Sequence, residues 1–257
     1  MKQFSFVDGI KFINTVKTEV KDALLEESPL QISINKIPFT TTLRTPGDDL
    51  FLARGLLYSE NIFSGESKNF NYYNTSENGV DTIHLEIDGL EFEQRRQLVS
   101  ISSCGLCGVE TFEYPIINKV SSNTTFLSSK IVEMFTLFSK EQVLFKDTGS
   151  SHACGLFDDS FKLLSIQEDI GRHNATDKCV GELLENGTLS KAEFMLISGR
   201  ISYEIVHKCF QAKIVILVAV SSPSALAVRM AEKMNITLIG FSRENRFTCY
   251  SHPERIL

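Results

Sequence analysis

No apolar run in this 257-residue chain reaches the ~18 residues a membrane-spanning helix needs; the longest, residues 214–220, is strand-sized. The opening residues, Met1-Lys2-Gln3-Phe4-Ser5, lack the basic-then-apolar layout of a secretory signal. Cationic excess is missing too. A net charge of −6 gives no general attraction to nucleic acid or to an anionic membrane. Internal repeats and low-complexity stretches are absent. The balance of 42% hydrophobic to 23% charged residues is that of a folded domain rather than a disordered chain. Without a signal, the six cysteines read as reduced thiols and not as a disulfide framework. The expectation is a cytoplasmic protein of one large or two smaller domains, with neither nucleic acid nor membrane as partner.

Chemical motifs are also notable for what is missing. There is no P-loop lysine motif and no G-x-G-x-x-G after a strand, so NTPase and dinucleotide-dehydrogenase readings lack support. A single CxxC is present, in Ser103-Cys104-Gly105-Leu106-Cys107-Gly108, with no second CxxC to complete a four-ligand zinc site. His152/Cys154 and Cys249/His252 are the candidate second pairs, at unusual spacing. A thioredoxin-type pair would start a helix, which Gly105 and Gly108 disfavour. A zinc-deaminase signature, H-x-E before P-C-x-x-C, finds His84-Leu85-Glu86 ahead of it. Those residues alternate with Ile83 and Ile87 as on a strand, and Ser103 stands in place of the proline. The remaining functional reading is a mobile thiol that carries sulfur as a persulfide, with Cys107 resolving or protecting it. Cys179 and Cys209 fall on apolar helix faces and read as core thiols.

Residues 1–28 suggest a strand followed by a loosely held segment. Leu30, Ile32 and Ile34 alternate, Asn35-Lys36 turns, and Ile37 and Phe39 resume the alternation of a hairpin. Thr45-Pro46-Gly47-Asp48-Asp49 predicts a helix start with Thr45 as cap and Pro46 in the first turn. Phe51, Leu52, Leu56 and Tyr58 would form its buried face. Residues 69–79 are Asn-rich and read as a surface loop, before a half-buried strand on Ile83, Leu85 and Ile87. A polar stretch, 118–125, is the expected domain boundary. A helix with Ile131, Met134, Phe135 and Phe138 at helical spacing follows.

The second half alternates strands (163–166, 194–197, 214–220, 236–241) with helices through Leu184, Phe210 and Met230. This rhythm predicts a parallel α/β sheet. The division is a β-rich N-terminal portion, 1–120, ending with the CxxC loop, and an α/β domain, 121–257. Ligands of such sheets sit beyond the carboxyl ends of the strands. Three strands end in Ser198-Gly199-Arg200, in Ser221-Ser222-Pro223-Ser224 and in Phe241-Ser242-Arg243, with Arg246 close behind. Hydroxyls, guanidiniums and helix N-termini in register would suit phosphate oxygens, although Ser and Pro also simply cap helices. Arg172-His173-Asn174 enters a helix amid polar residues. His173 and the loop-borne His152 remain open between structural and functional roles.

Taken in order, these motifs resemble the FdhD/NarQ family of formate dehydrogenase accessory sulfurtransferases, from about Pro29 to Ile256. The resemblance rests on Thr45-Pro46-Gly47-Asp48, Ser102-Ser103-Cys104-Gly105-Leu106-Cys107-Gly108 and Glu168-Asp169-Ile170-Gly171-Arg172-His173-Asn174-Ala175. Ser198-Gly199-Arg200, Ser222-Pro223-Ser224 and Gly240-Phe241-Ser242-Arg243 complete it. It implies a cytidine-deaminase-like α/β/α layer sandwich, usually a homodimer. It also implies sulfur transfer from a cysteine desulfurase, through a Cys104 persulfide assisted by Cys107, to the molybdenum bis(molybdopterin guanine dinucleotide) cofactor. That cofactor is the substrate, destined for a molybdenum- or tungsten-dependent formate dehydrogenase, and no structural metal is implied. Residues Phe241, Ser242, Arg243, Glu244, Asn245 and Arg246 match the family's cofactor-binding stretch. Ser198, Gly199, Arg200, Ser222, Ser224 and His173 are the further binding candidates. Departures from the family pattern are Gly149-Ser150-Ser151 before His152, Cys154, Glu244 and Thr248. A non-catalytic chaperone that escorts the cofactor is the alternative.

Overall fold

The computed structural model describes residues 2–65, 70–90, 120, 124–243 and 245–257. The chain opens with an antiparallel ribbon of β1 (Phe4–Ile13) and β2 (Val16–Leu25), paired from Phe4 with Leu25 to Ile13 with Val16. The loosely held segment expected here is instead a second strand. Asn14, at φ 54°, supplies the left-handed turn that brings it back.

β3 (Ser28–Ile34) and β4 (Ile37–Arg44) form the expected hairpin. Asn35 and Lys36 both have positive φ, as a tight two-residue turn requires. The Asn35 side chain then clamps the next hairpin, taking a bond from the Ile87 amide and donating to the carbonyls of Ile87 and Leu90. That hairpin is β5 (Phe70–Glu77) and β6 (Val80–Ile87), and the sheet order is β4-β3-β6-β5. The Asn-rich stretch is therefore largely a strand and not a loop. It lies at the sheet edge with seven of its eight side chains exposed, so its composition carries no apolar alternation.

Under this sheet runs α1 (Asp49–Ser59), which with Leu30, Ile32, Ile34, Ile83, Leu85 and Ile87 closes one core. The helix starts later than the Thr45 cap predicted. Asp48, in the left-handed region, precedes it, and Thr45 is engaged elsewhere. Leu52, Ala53 and Leu57 are its buried apolar positions, whereas Phe51, Leu56 and Tyr58 are only half-buried. Two layers, not one, cover this helix.

The second layer belongs to a six-stranded sheet, ordered β12-β11-β10-β9-β7-β8. Its strands are β7 (His152–Phe157), β8 (Leu163–Asp169), β9 (Phe194–Ile197), β10 (Ile216–Ala219), β11 (Thr237–Arg243) and β12 (Arg246–Ser251). Only β9, β10 and β11 are parallel; β7, β8 and β12 run antiparallel to their neighbours, so the sheet is mixed rather than parallel. Helix α2 (Ser129–Glu141) covers one face through Ile131, Met134 and Phe138. Short α3 (Val143–Thr148) follows it. On the other face lie α4 (Arg172–Glu185), α5 (Tyr203–Gln211) and α6 (Ala225–Met234). β10 is buried on both sides, with Leu217 and Ala219 toward α4–α6 and Ile216 and Val218 toward α2. This is the α/β/α sandwich with a smaller β-rich portion.

Helices α1 and α4 join the two parts, and two glycines set their approach. A Cβ on Gly55 would lie 1.9 Å from the Asp177 carbonyl oxygen, and one on Gly181 would lie 1.9 Å from that of Phe51. No side chain fits at either position. Among the described residues, no helix is long and apolar enough to cross a membrane.

Candidate functional site

The carboxyl ends of β9, β10 and β11 share one sheet edge because these strands are parallel. β7 is antiparallel to both β8 and β9, so its first residue, His152, lies beside the last residue of β8, Asp169, and near the end of β9. Sheet pairing thus gathers Ser198, Gly199 and Arg200, the α4 entry Gly171-Arg172-His173, and His152. The histidine begins a strand rather than sitting in a loop. Ser198 Oγ accepts the Ala153 amide at 2.9 Å and stands 3.4 Å from His152 Nδ1. A Cβ on Gly199 would meet Arg172 Cδ at 3.2 Å and His152 Nδ1 at 3.5 Å. Glycine here lets the guanidinium stem and the imidazole close over the strand end.

Two imidazoles at this edge are held neutral. Burial lowers the His173 pKa to about 4, with the charges of Arg172 and Lys208 adding to the effect. Burial also lowers His152, again with Arg172 and then Arg200 contributing, against a weaker opposing pull from Asp169. His173 Nε2 is 3.4 Å from Ser202 Oγ. Burial raises the Glu204 carboxyl, but the Ser202 hydroxyl, its own backbone amide and the Arg172 charge outweigh that and keep it low. With Ser202 donating to Glu204, its oxygen is left to accept a hydrogen bond from the Nε2–H of His173, which favours that tautomer. The edge therefore offers neutral donors and two guanidiniums around the first turn of α4. This arrangement is suited to an anionic oxygen.

Other candidates stand apart from this cluster. Ser224 caps α6, accepting the Ala227 amide at 3.1 Å. Ser222 is half-buried and its carbonyl accepts the Ile201 amide. β11 overshoots its neighbour: Val218 pairs with Ile239, so Ser242 and Arg243 project beyond the end of β10. Arg243 and Arg246 face each other across that projecting hairpin, exposed, roughly 10 Å past β10 at ~3.3 Å per residue. The three strand ends share an edge without being in register. Phe241 sits at the step, half exposed, with φ 53° and its amide on the Ser221 carbonyl. Ser242 is buried and Asn245 exposed. Cys104, Cys107 and Glu244 lie outside the described residues.

The polar run from 168 to 178 divides in two. Arg172 and His173 face the edge, whereas Asp169, Asn174, Asp177 and Lys178 are scaffold. Asp169 Oδ1 accepts from the Gly171 amide and Asn174; Oδ2 accepts from the Thr45 amide and Lys178, the last at 2.8 Å with both side chains fully buried. The Thr45 hydroxyl accepts from the Ile170 amide, and Lys178 also donates to the Thr45 carbonyl. Asp177 takes Lys208 at 2.8 Å and the Ser59 hydroxyl.

The two alternative second pairs considered for zinc lie far from each other, and whether either reaches Cys104 and Cys107 falls outside the described residues. Cys154 is in the core on β7 and Cys249 is on β12, four strand spacings or about 19 Å away. His84 stacks on Tyr73 at 4.5 Å and bonds Thr75, on the open face of the small sheet.

Arg172, His152, Ser202 and Glu204 line this same strand edge without having been among the binding candidates. The signals available were the glycine turn before Arg172 and the spacing of Ser198 and Ser202. Only pairing through β7 makes them neighbours.

The fold and this edge define an α/β layer-sandwich protein with an anion-suited strand end. The chain belongs to the FdhD/NarQ family, whose model matches residues 25–257. It is 39% identical over 250 residues to the sulfur carrier protein FdhD of Thermoplasma acidophilum, spanning 93% of this chain and 88% of that one. The sulfur carrier protein FdhD of Sulfolobus acidocaldarius is 38% identical over 237 residues, covering 92% of each. A crystal structure of a formate dehydrogenase accessory protein from Desulfotalea psychrophila covers 100% of both chains with a TM-score of 0.80 at 21% identity, which establishes the shared fold.

Proposed function

We propose that this protein is a persulfide-type sulfur carrier serving a formate dehydrogenase, with Cys104 as the carrying thiol. The observation that carries this reading is near full-length similarity to relatives named as sulfur carrier proteins. The thiolate of Cys104 attacks the outer sulfur of a cysteine desulfurase persulfide; the donor's S–S bond breaks, the donor thiolate leaves, and a new S–S bond forms on Cys104. In delivery, Cys107 attacks the inner sulfur, forming a Cys104–Cys107 disulfide and releasing the carried atom as hydrosulfide. The acceptor is the molybdenum bis(molybdopterin guanine dinucleotide) substrate. Its pyrophosphates match the chemistry of Arg172, Arg200 and the α4 entry. The protein acts as a homodimer.

Incubation with a cysteine desulfurase and cysteine, followed by intact-protein mass spectrometry, tests the reading. One added sulfur is expected, removed by reductant and absent in Cys104→Ala. A native protein that gains none would overturn the reading and favour the cofactor-chaperone alternative.

A further inference from the structure

The β1–β2 ribbon lies ahead of the family match, which begins at residue 25, and among the described residues its outer part packs against nothing else on either face. Phe6, Ile10 and Phe12 are 61–63% exposed on one face, and Ile13 and Val16 are 57% and 62% exposed on the other, beside Val7 and Leu24. A two-stranded ribbon alone is marginal in water, because neither face is covered. Each face carries on the order of 350 Å² of exposed apolar side-chain surface, taking ~150–200 Å² for each large side chain. Either face alone matches the ~300–600 Å² of the largest patch on an ordinary monomer, and the two faces together approach the ~800 Å² each partner gives to a stable interface. Where β2 meets the body, α3 adds exposed Val143 and Phe145.

Charge selects the occupant. The face of Phe6, Ile10 and Phe12 carries Asp8 and Glu19 against Lys17 and Lys21; the opposite face carries Lys11 against Asp22. Each face is therefore neutral within a chain of net charge −6. An anionic lipid surface would call for a basic face, and a strongly charged protein partner for the opposite sign. A neutral face with interspersed signs is compatible with its own copy, which the isologous contact of a two-fold dimer requires.

We propose that the ribbon is a dimerisation arm, packed against the arm and α3 of a second copy. This deepens the homodimer reading by assigning its surface to a segment outside the family match. The test is sedimentation of the full chain beside two full-length variants. One carries Phe6→Thr, Ile10→Thr and Phe12→Thr; the other carries Val7→Thr, Ile13→Thr and Val16→Thr, since threonine keeps strand propensity. The full chain is expected to be dimeric and each variant at least about 100-fold weaker in self-association, with an unchanged melt of the body. In the unsubstituted chain, hydrogen exchange of the β1 and β2 amides should quicken on dilution through the dimer–monomer transition. Variants that remain dimeric, or ribbon exchange independent of concentration in a dimer, would overturn the arm and leave the homodimer reading standing. A full chain that is monomeric at ~100 μM, far above the ~1 μM Kd of a modest interface, would overturn both, whether or not it binds anionic vesicles.

Discussion

Lys178 Nζ lies 2.8 Å from Asp169 Oδ2 with neither side chain exposed to solvent. The pair joins the loop that enters α4 to Thr45, at the end of the small sheet, through bonds from the Thr45 amide and to the Thr45 carbonyl. Lys178→Met should strand the Asp169 carboxylate and destabilise the fold by about 3–5 kcal/mol. Equilibrium urea unfolding measures it, and a loss under 1 kcal/mol would contradict the assigned role.

Gly55 is expected to tolerate no side chain. In Gly55→Ala the new methyl would collide with the Asp177 backbone, which a flexible side chain cannot relieve. Helices α1 and α4 would separate, with a loss of about 1–3 kcal/mol or more. Thermal melts against Gly9→Ala give the comparison, because the nearest atom to a Cβ there is a valine methyl at 3.6 Å.

His173 makes stability depend on pH. Its folded pKa of about 4 lies below the ~6.5 of a free imidazole, so between these values the unfolded chain holds a proton that the folded chain does not. Stability should therefore fall as pH drops through that window, by up to about 3 kcal/mol from this group. Denaturant midpoints measured from pH 7 to pH 4 should show a shallower slope in His173→Asn.

Arg172 depresses both histidines, so its removal should let them titrate at higher pH. In Arg172→Met, the imidazole resonances of His152 and His173 followed by NMR are expected to move up, and an unchanged pair would refute the coupling. Pyrophosphate binding measured by calorimetry should weaken by about tenfold, the loss of one charge-assisted contact.

Much of the scaffold was legible in the sequence. The Asn35-Lys36 hairpin, the doubly buried β10 and the helix through Ile131, Met134 and Phe138 each carry a local period or turn signal. β5 escaped because an edge strand needs no apolar alternation. The helix start at Thr45 misled because the same hydroxyl that could cap a turn bonds the Ile170 amide instead. The candidate site was half legible. Strand-end motifs identified Ser198, Gly199 and Arg200, but strand order alone brings His152 and Arg172 to them. Buried charge is the subtler case. In sequence, Asp169, Asp177 and Lys178 are polar residues flanking Arg172-His173-Asn174, whereas their partners Thr45, Lys208 and Ser59 come from distant segments.

The bonds around Thr45 also bear on how the gene could be divided. If the chain were cut between its sheets, one fragment would keep Asp169 and Lys178 without the Thr45 backbone that completes them. The other would keep Gly55 facing a vacant furrow. Expressed separately, the halves should be insoluble or unfolded; co-expressed, they should rescue each other. The anion-suited edge belongs to the later half in sequence, yet its foundation is laid by residues more than a hundred positions earlier.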